Sequence, residues 1–265
     1  MRALGKPVNS VVLEQATRAP IERVWRACTE AAGLSAWQAD QVEGTVSPGS
    51  ELLLGWPALG VAVELGVERV EPLKRLVLRG ADAQLELEFE PGRVLLCHSA
   101  DFDEDEHAGT LSSWKLALAT LAHYVERHAE QPRVVHWLVE RVHVSLEDAH
   151  AFFTLAGAHS GWLTRSSQGT GIGDAGSAVA LDLAWGSPLT GHVLAHSAPR
   201  DALISWHETN DSLLALRTLP CPDSSERLLV GTWSSWGLEE TAPTAAHLAG
   251  AFSRLARLLE RRVHA

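Results

Sequence analysis

Three histidines have a spacing that could serve metal binding. His192 and His196 are four residues apart on a predicted strand, which would place both rings on one face, and His207 is on the next predicted strand. Three imidazoles could bind a transition-metal ion. No carboxylate or cysteine has matching spacing, and a chain with 13 histidines contains such groupings by composition alone. We therefore expect no metal site.

Residues 171–176 match the GxGxxG pattern of dinucleotide-binding loops. In those loops the motif follows a strand and opens a helix, so that the positive helix N-terminus faces the pyrophosphate. Here the pattern follows a predicted helix and precedes a predicted strand. Because this context does not suit a dinucleotide, the sequence predicts no nucleotide and no other cofactor.

No grouping of residues predicts catalysis. The chain has no GxSxG motif, and no cysteine lies within a recognisable nucleophile motif. His207 and Glu208 are adjacent, and neighbouring residues of a strand point to opposite faces. Cys28, Cys97 and Cys221 are far apart in sequence and are expected to be reduced thiols. We expect a protein without enzymatic activity and without catalytic residues.

The charge of the chain argues against several classes of partner. A formal net charge of −11 disfavours nucleic acid and anionic membranes, since both reward clustered lysine and arginine. No apolar run approaches the length of a bilayer span, and residues 1–7 lack the apolar stretch of a signal peptide. The most acidic run, residues 101–106, is expected to be a solvated loop. These features predict a cytoplasmic protein that does not insert into membranes.

The two halves of the chain repeat the same sequence features in the same order. Residues 21–37 align without a gap to residues 146–162, so that Trp37 matches Trp162. Further identical pairs follow this order: Glu22/Glu147, Thr29/Thr154, Gly44/Gly171 and Gly49/Gly176. The ends of the halves also match, residues 121–127 with residues 255–261. An ordered repeat of this kind indicates duplication of one structural unit.

Each half predicts the same order of elements: a strand, two short helices, several antiparallel strands and a long amphipathic helix. The strand pattern is clearest at residues 84–90, where apolar and polar residues alternate. Pro132 lies where the first long helix should have ended. The sequence therefore predicts an α+β protein of two domains, residues 1–130 and 133–265. Each domain is expected to be a curved antiparallel sheet around its C-terminal helix.

Several segments of the first half carry a family resemblance. They are residues 19–25, 34–37, 44–52, 67–72, 75–78 and 114–118. With the order of elements, they resemble the START-like (SRPBCC) helix-grip superfamily, and in it the homologues of the heat-shock-protein-90 ATPase activator C-terminal domain. The resemblance covers most of residues 8–128, and the second half departs further. It implies an apolar cavity between the sheet and the last helix, relatives that bind apolar molecules, and, by name, a chaperone link.

The predicted function is non-enzymatic binding of a small apolar or amphipathic molecule in a helix-grip cavity. Two alternatives stay open. One is a protein-interaction or co-chaperone-like regulatory module, and the other is an enzyme of the aromatase/cyclase kind found among START-like proteins. An open cavity would favour ligand binding, whereas an exposed apolar patch over a filled core would favour protein interaction.

The second half is predicted to hold the open cavity. In the first half, the inward strand positions have the apolar composition of a dry, close-packed core: Val61, Val63, Leu65, Leu85, Leu87 and Phe89. In the second half, the closing helix carries small residues over 245–251, which would leave space beneath it. The predicted cavity residues are Trp162, Leu181, Trp185, His192, His196, Trp206, Trp233, Trp236, Leu248 and Phe252.

Overall fold

The computed structural model describes residues 9–166, 169–221 and 226–263, and residues 1–7 named above lie outside that part. The chain divides into two compact units, residues 1–132 and 133–265, each called a domain below. That the two units fold independently stays a prediction. Among the described residues, no helix has the length and apolar character needed to cross a membrane.

The described part of the first domain combines one antiparallel sheet with three helices. Its elements are β1 Asn9–Ala16, α1 Ile21–Thr29, α2 Ala31–Trp37, β2 Gln41–Gly44, β3 Glu51–Trp56, β4 Val61–Glu71, β5 Arg75–Arg79, β6 Ala83–Glu90, β7 Arg93–Ala100 and α3 Glu104–Arg127. The strand order is β1-β7-β6-β5-β4-β3-β2. The last helix, α3, packs against β1, α1 and α2.

The acidic side chains of the run at residues 101–106 are exposed, as expected, but the run is a loop only over 101–103, and residues 104–106 form the first turn of α3. Asp103 is the N-cap and accepts a hydrogen bond from the Glu106 N–H at 2.8 Å, while the Glu106 carboxylate accepts one from the Asp103 N–H at 3.0 Å. This capping box satisfies backbone donors that have no partner inside the helix. Negative charge in the first turn also suits the positive end of the helix dipole.

The described part of the second domain repeats the same order of elements. They are β8 Arg133–Val142, α4 Leu146–Thr154, α5 Ala156–His159, β9 Ala178–Asp182, β10 Pro188–Ser197, β11 Asp201–Trp206, β12 Ser212–Pro220, β13 Arg227–Trp236 and α6 Ala242–Val263. The strand order β8-β13-β12-β11-β10-β9 matches that of the first sheet, with no counterpart of β2 among the described residues. An isolated β-bridge between Thr164 and Leu183 lies where the counterpart of β2 would pair with the chain after β9.

Two tryptophans make equivalent hydrogen bonds in the two domains. The Trp37 indole N–H donates to the Ala27 carbonyl at 2.9 Å, and the Trp162 indole N–H donates to the Phe152 carbonyl at 3.1 Å. Each bond reaches back ten residues, to the helix that precedes the tryptophan. The sequence repeat therefore corresponds to a repeat of local structure.

The strands after these tryptophans also match in detail. Gly49 donates its N–H to the Val67 carbonyl at 2.8 Å, and Gly176 donates to the Val193 carbonyl at 2.8 Å. Directly after each valine the strand register shifts, in β4 and in β10. A bulge adds one residue to a strand and so is placed independently of the alternation of side chains. Its recurrence at the same point confirms the predicted fold of two helix-grip domains in tandem.

Candidate ligand-binding site

Strand register identifies equivalent positions on the two sheet faces that meet the long helices. Successive cross-strand partners in the first domain are Val67, Leu78, Leu85 and His98. Those in the second domain are Val193, Ile204, Leu214 and Trp233. His98 and Trp233 therefore occupy the same place in their sheets. By the same register, Gly80 is equivalent to Trp206.

Two indole rings fill this place in the second domain. Trp206 is 1% exposed and Trp233 is 0% exposed, and their ring centroids are 6.1 Å apart. The Trp206 N–H donates to the Pro188 carbonyl at 3.0 Å, and the Trp233 N–H donates to the Ser212 hydroxyl at 2.8 Å. Because almost none of either ring is accessible to water, these side chains form part of the packed core and do not border an open space.

The small residues of α6 do not leave exposed space beneath that helix, contrary to expectation, because Ala251 is buried in the core cluster and Ala245 packs against it. Ala246, Ala249 and Gly250 are exposed, so they lie on the outer side of the helix. Leu248 and Phe252 supply its buried face. They pack in one core cluster with four other predicted cavity residues, Trp162, Leu181, Trp206 and Trp233.

The first domain carries smaller side chains at the equivalent positions, and both residues there are only partly buried. Where the second domain has two tryptophans, the first has Gly80 and His98. Val61 is 46% exposed and Val63 is 38% exposed, although both share the inner face with Val67, whereas the equivalent of Val63, Leu189, is 0% exposed. The expectation of a dry core is confirmed at Leu65, Leu87 and Phe89, which are buried, and is wrong at Val61 and Val63, while Leu85 is half-buried. We call this region the first-domain cleft and define it by six residues: Val61, Val63, Gly80, Leu85, His98 and Trp114.

Two aromatic contacts fix the position of the His98 ring. The Trp114 indole on α3 donates its N–H to His98 Nδ1 at 2.9 Å. Phe102 meets the same imidazole edge to face, with ring centroids 5.3 Å apart. Burial lowers the pKa of His98 below its usual value. His98 and Trp114 are each half-buried, so the polar pair lies at the margin of the cleft.

His192 and His196 lie on opposite faces of β10, which corrects the prediction that they share one. The register shift between Val193 and Ala195 reverses the facing of the residues that follow. His192 is exposed, and its ring lies 5.6 Å from that of His207, which belongs to a turn of 3-10 helix and not to a strand. His196 is on the inner face.

His196 pairs with a histidine from the first helix of its domain. Its Nε2 is 2.8 Å from Nε2 of His150 on α4, and the two rings are coplanar within 2°. Its Nδ1 is 3.8 Å from the Asp174 carboxylate. Burial, and after it the neighbouring His196, lower the pKa of His150. The pair thus joins α4 to β10 by one shared proton.

Two other predicted cavity residues lie outside the core cluster of the second domain, although Trp185 packs against it. Trp236 is one residue past the inner-face position of Ser235, so it points to the outer face of the sheet, although it is buried. Trp185 lies in the turn after β9 and stacks on His247 of α6, with ring centroids 5.3 Å apart. The ten predicted residues therefore do not surround one space.

Neither a metal-binding group nor a dinucleotide loop is found in the part of the chain that the structure describes. No three or more His, Cys, Asp or Glu side chains are grouped there so as to hold a metal ion. Residues 171–176 form an irregular segment between α5 and β9, so the motif opens no helix. The thiols of Cys28 and Cys221 are buried, and burial strongly raises the pKa of Cys28. A protonated buried thiol is a poor nucleophile.

A separate charged pocket lies at the start of α1. It has a volume of about 360 Å³ and is lined by Arg18, Ala19, Pro20, Arg23, Glu126 and Arg127. Arg23 already donates to the Val125 carbonyl at 3.1 Å, and the Arg18 N–H donates to the Glu126 carboxylate at 2.7 Å. These charged walls suit an apolar ligand poorly compared with the first-domain cleft.

Comparison with known proteins agrees with the helix-grip fold described above. Residues 18–126 match the family described as Activator of Hsp90 ATPase homolog 1-like protein. The predicted resemblance is confirmed: the first domain is similar to this family, and a second helix-grip domain follows it. No curated protein matches the chain at a significant level.

Several solved structures are similar to this chain over part or most of its length. The DynU16 protein from the dynemicin biosynthetic locus is 17% identical, with 96% of this chain and 100% of that chain covered and a TM-score of 0.43. The di-domain ARO/CYC protein BexL from the BE-7585A biosynthetic pathway is 15% identical over 96% and 95% of the two chains, with a TM-score of 0.42. The Aha1 dimer from Colwellia psychrerythraea is 19% identical over 44% and 96%, with a TM-score of 0.41.

Proposed function

We propose that this protein binds a small apolar or amphipathic molecule in the first-domain cleft, between the sheet and α3. One observation carries the proposal. Val63 keeps 38% of its surface exposed on the inner face of its sheet, whereas its second-domain equivalent, Leu189, is fully buried. An apolar surface that the fold leaves open on its inner side is suited to a ligand.

The energy for binding would come from apolar area that the chain itself does not bury. Valine and leucine side chains at the cleft would each contribute roughly 25 cal/mol for every Å² that a ligand removes from water. The indole of Trp114 adds a large flat surface at the same place. In the second domain, Trp206 and Trp233 fill the equivalent place. A filled core suits a structural role for that domain. Ligand binding by the ten residues predicted there remains a prediction, and the same experiment tests it.

We further propose that binding is not accompanied by catalysis. The groups that face the cleft are aliphatic side chains, one imidazole and one indole. No nucleophile or carboxylic acid is within hydrogen-bond distance of His98 among the described residues, so a general base would have no partner to activate. The aromatase/cyclase alternative has no specific feature of this cleft in its favour.

Transfer of the second-domain tryptophans into the first domain tests the site. In the full chain, Gly80→Trp combined with His98→Trp should close the cleft, since a Cβ on Gly80 would meet Leu65 at an ordinary 3.6 Å. Binding of the neutral fluorescent probe N-phenyl-1-naphthylamine should weaken by about tenfold or more, which corresponds to 1.4 kcal/mol or more. Thermal unfolding would confirm that the variant is folded.

Val12→Trp is the matched control. Val12 is 63% exposed on the outer face of β1, so this change adds an indole without touching the cleft, and probe binding should stay as in the wild type. If the double variant still binds the probe normally, the ligand site lies elsewhere, the second domain included. If the wild-type chain does not bind apolar probes, the interaction-module alternative is favoured.

A further inference from the structure

We propose that His98 selects the ligand by donating a hydrogen bond from Nε2–H to an acceptor oxygen, so that the ligand is a ring compound carrying a carbonyl or similar oxygen. This inference rests on the proposed function, because it concerns the same cleft. It adds what that function leaves open, the polar chemistry of the bound molecule.

Trp114 determines which nitrogen of His98 carries the proton. An indole N–H can only donate, so the Nδ1 that receives it at 2.9 Å must be an unprotonated acceptor. A neutral imidazole with a bare Nδ1 has its proton on Nε2. Burial lowers the pKa of His98 and so keeps the ring neutral. His98 is therefore held as a single tautomer, with its one N–H on the far side of the ring from Trp114.

The Nε2–H group has no partner within the described residues. The contacts of the ring are the hydrogen bond from Trp114 and the edge contacts of the Trp114 and Phe102 rings. His98 is half-buried, so water reaches the ring when the cleft is empty. A ligand that displaces this water without offering an acceptor leaves a polar group unsatisfied, which opposes binding.

The surroundings of His98 also favour a flat ligand. Leu85 pairs with His98 across the sheet, and the Trp114 ring lies 6.0 Å away on the helix side. A planar apolar body between such walls gains contact area at little entropic cost, and aromatic edges and faces prefer rings. The oxygen would then be the only polar group of the ligand that the cleft recognises.

A pair of nearly isosteric probes tests the inference on the full chain. 2-Acetylnaphthalene has a carbonyl group where 2-ethylnaphthalene has a methylene group, and displacement of N-phenyl-1-naphthylamine would measure the binding of both. The wild type should bind the ketone roughly tenfold more tightly than the hydrocarbon, because the hydrocarbon leaves the His98 Nε2–H without a hydrogen-bond acceptor.

Two variants separate this donor from the structural bond to Trp114. His98→Gln keeps an N–H donor near the Nε2 position, so the preference for the ketone should survive. His98→Asn keeps an acceptor for Trp114 near the Nδ1 position but lacks the outward donor. It should bind both probes with the affinity that the wild type has for the hydrocarbon. A purely structural histidine would not produce this split.

The outcomes distinguish failure of the donor from failure of the cleft. Equal wild-type binding of ketone and hydrocarbon, or an undiminished preference in His98→Asn, would overturn the role of His98 and leave the cleft standing. If neither probe binds the wild type, the proposed function itself is overturned, and the role of His98 with it.

Discussion

Burial keeps several histidines of this protein uncharged. Desolvation lowers the pKa values of His98, His136, His150 and His159. His159 is the most enclosed of the four at 1% exposed. Its Nε2 donates to the Phe153 carbonyl at 2.7 Å, while its Nδ1 is buried without a partner. An imidazolium there would lose hydration at Nδ1 and gain no new acceptor, so the native state holds the neutral form.

Acid should therefore destabilise the protein through these rings. The pKa of His159 lies below its ordinary value of 6.5 in the folded state, so its contribution is complete above pH 6.5 and declines as the pH falls toward the folded-state pKa. His159→Gln can keep a donor for the Phe153 carbonyl but does not titrate. Its melting temperature should fall less than that of the wild type between neutral and mildly acidic pH.

Exposed His143 provides the control for this titration. His143→Gln leaves the buried imidazoles in place, so its melting temperature should follow the wild-type pH profile. An unchanged profile in His159→Gln would show that other groups dominate the acid response.

At the scale of elements, the sequence was sufficient to predict the order of strands and helices, but not every element boundary or the direction of every side chain. Alternation at residues 84–90 correctly indicated β6, and the repeat predicted the same order of elements in both domains. The bulge in β10 is not visible in the alternation, so the facing of His196, which follows the bulge, could not be foreseen. In the first domain, alternation identified the inner face without indicating that its Val61 end stays uncovered.

The indole hydrogen bonds of Trp37 and Trp162 should stabilise both domains in the same way. Trp37→Phe or Trp162→Phe leaves a helix carbonyl without its donor in a buried position. Each change should lower the free energy of unfolding by about 1–3 kcal/mol, measured by urea denaturation. Because the two bonds have the same geometry, similar losses are expected.

Trp185→Phe is the comparison for ring size alone. Trp185 is only half-buried and its indole stacks on His247, so its loss should cost less than that of either buried tryptophan. An equal cost at all three positions would mean that ring volume, and not the repeated hydrogen bond, determines the effect.

At the scale of the whole molecule, two domains of one topology differ in how their cores are filled. Gly80 and His98 stand where the second domain has Trp206 and Trp233. The equivalence of Gly80 with Trp206 and of His98 with Trp233 does not follow from the sequence repeat. The strands that carry these residues share little identity between the domains, so their alignment depends on cross-strand register. For this reason Trp206 and Trp233 were among the cavity residues predicted in the second half, whereas the register places them in its core.

This difference in filling leads to a prediction for the separated domains. Fragments 1–132 and 133–265 follow the observed boundary, and each is of ordinary size for a single domain. We expect both to unfold cooperatively, as circular dichroism in urea would report.

The second fragment should unfold at the higher urea concentration, because a core filled by indole rings makes dispersion contacts that an open cleft lacks. Saturation with an apolar probe should raise the midpoint of the first fragment and leave the second unchanged, since a ligand stabilises only the state that binds it. A fragment that is unfolded alone would refute the division into independent domains, and a probe-dependent shift confined to the second fragment would return the site to the residues first predicted.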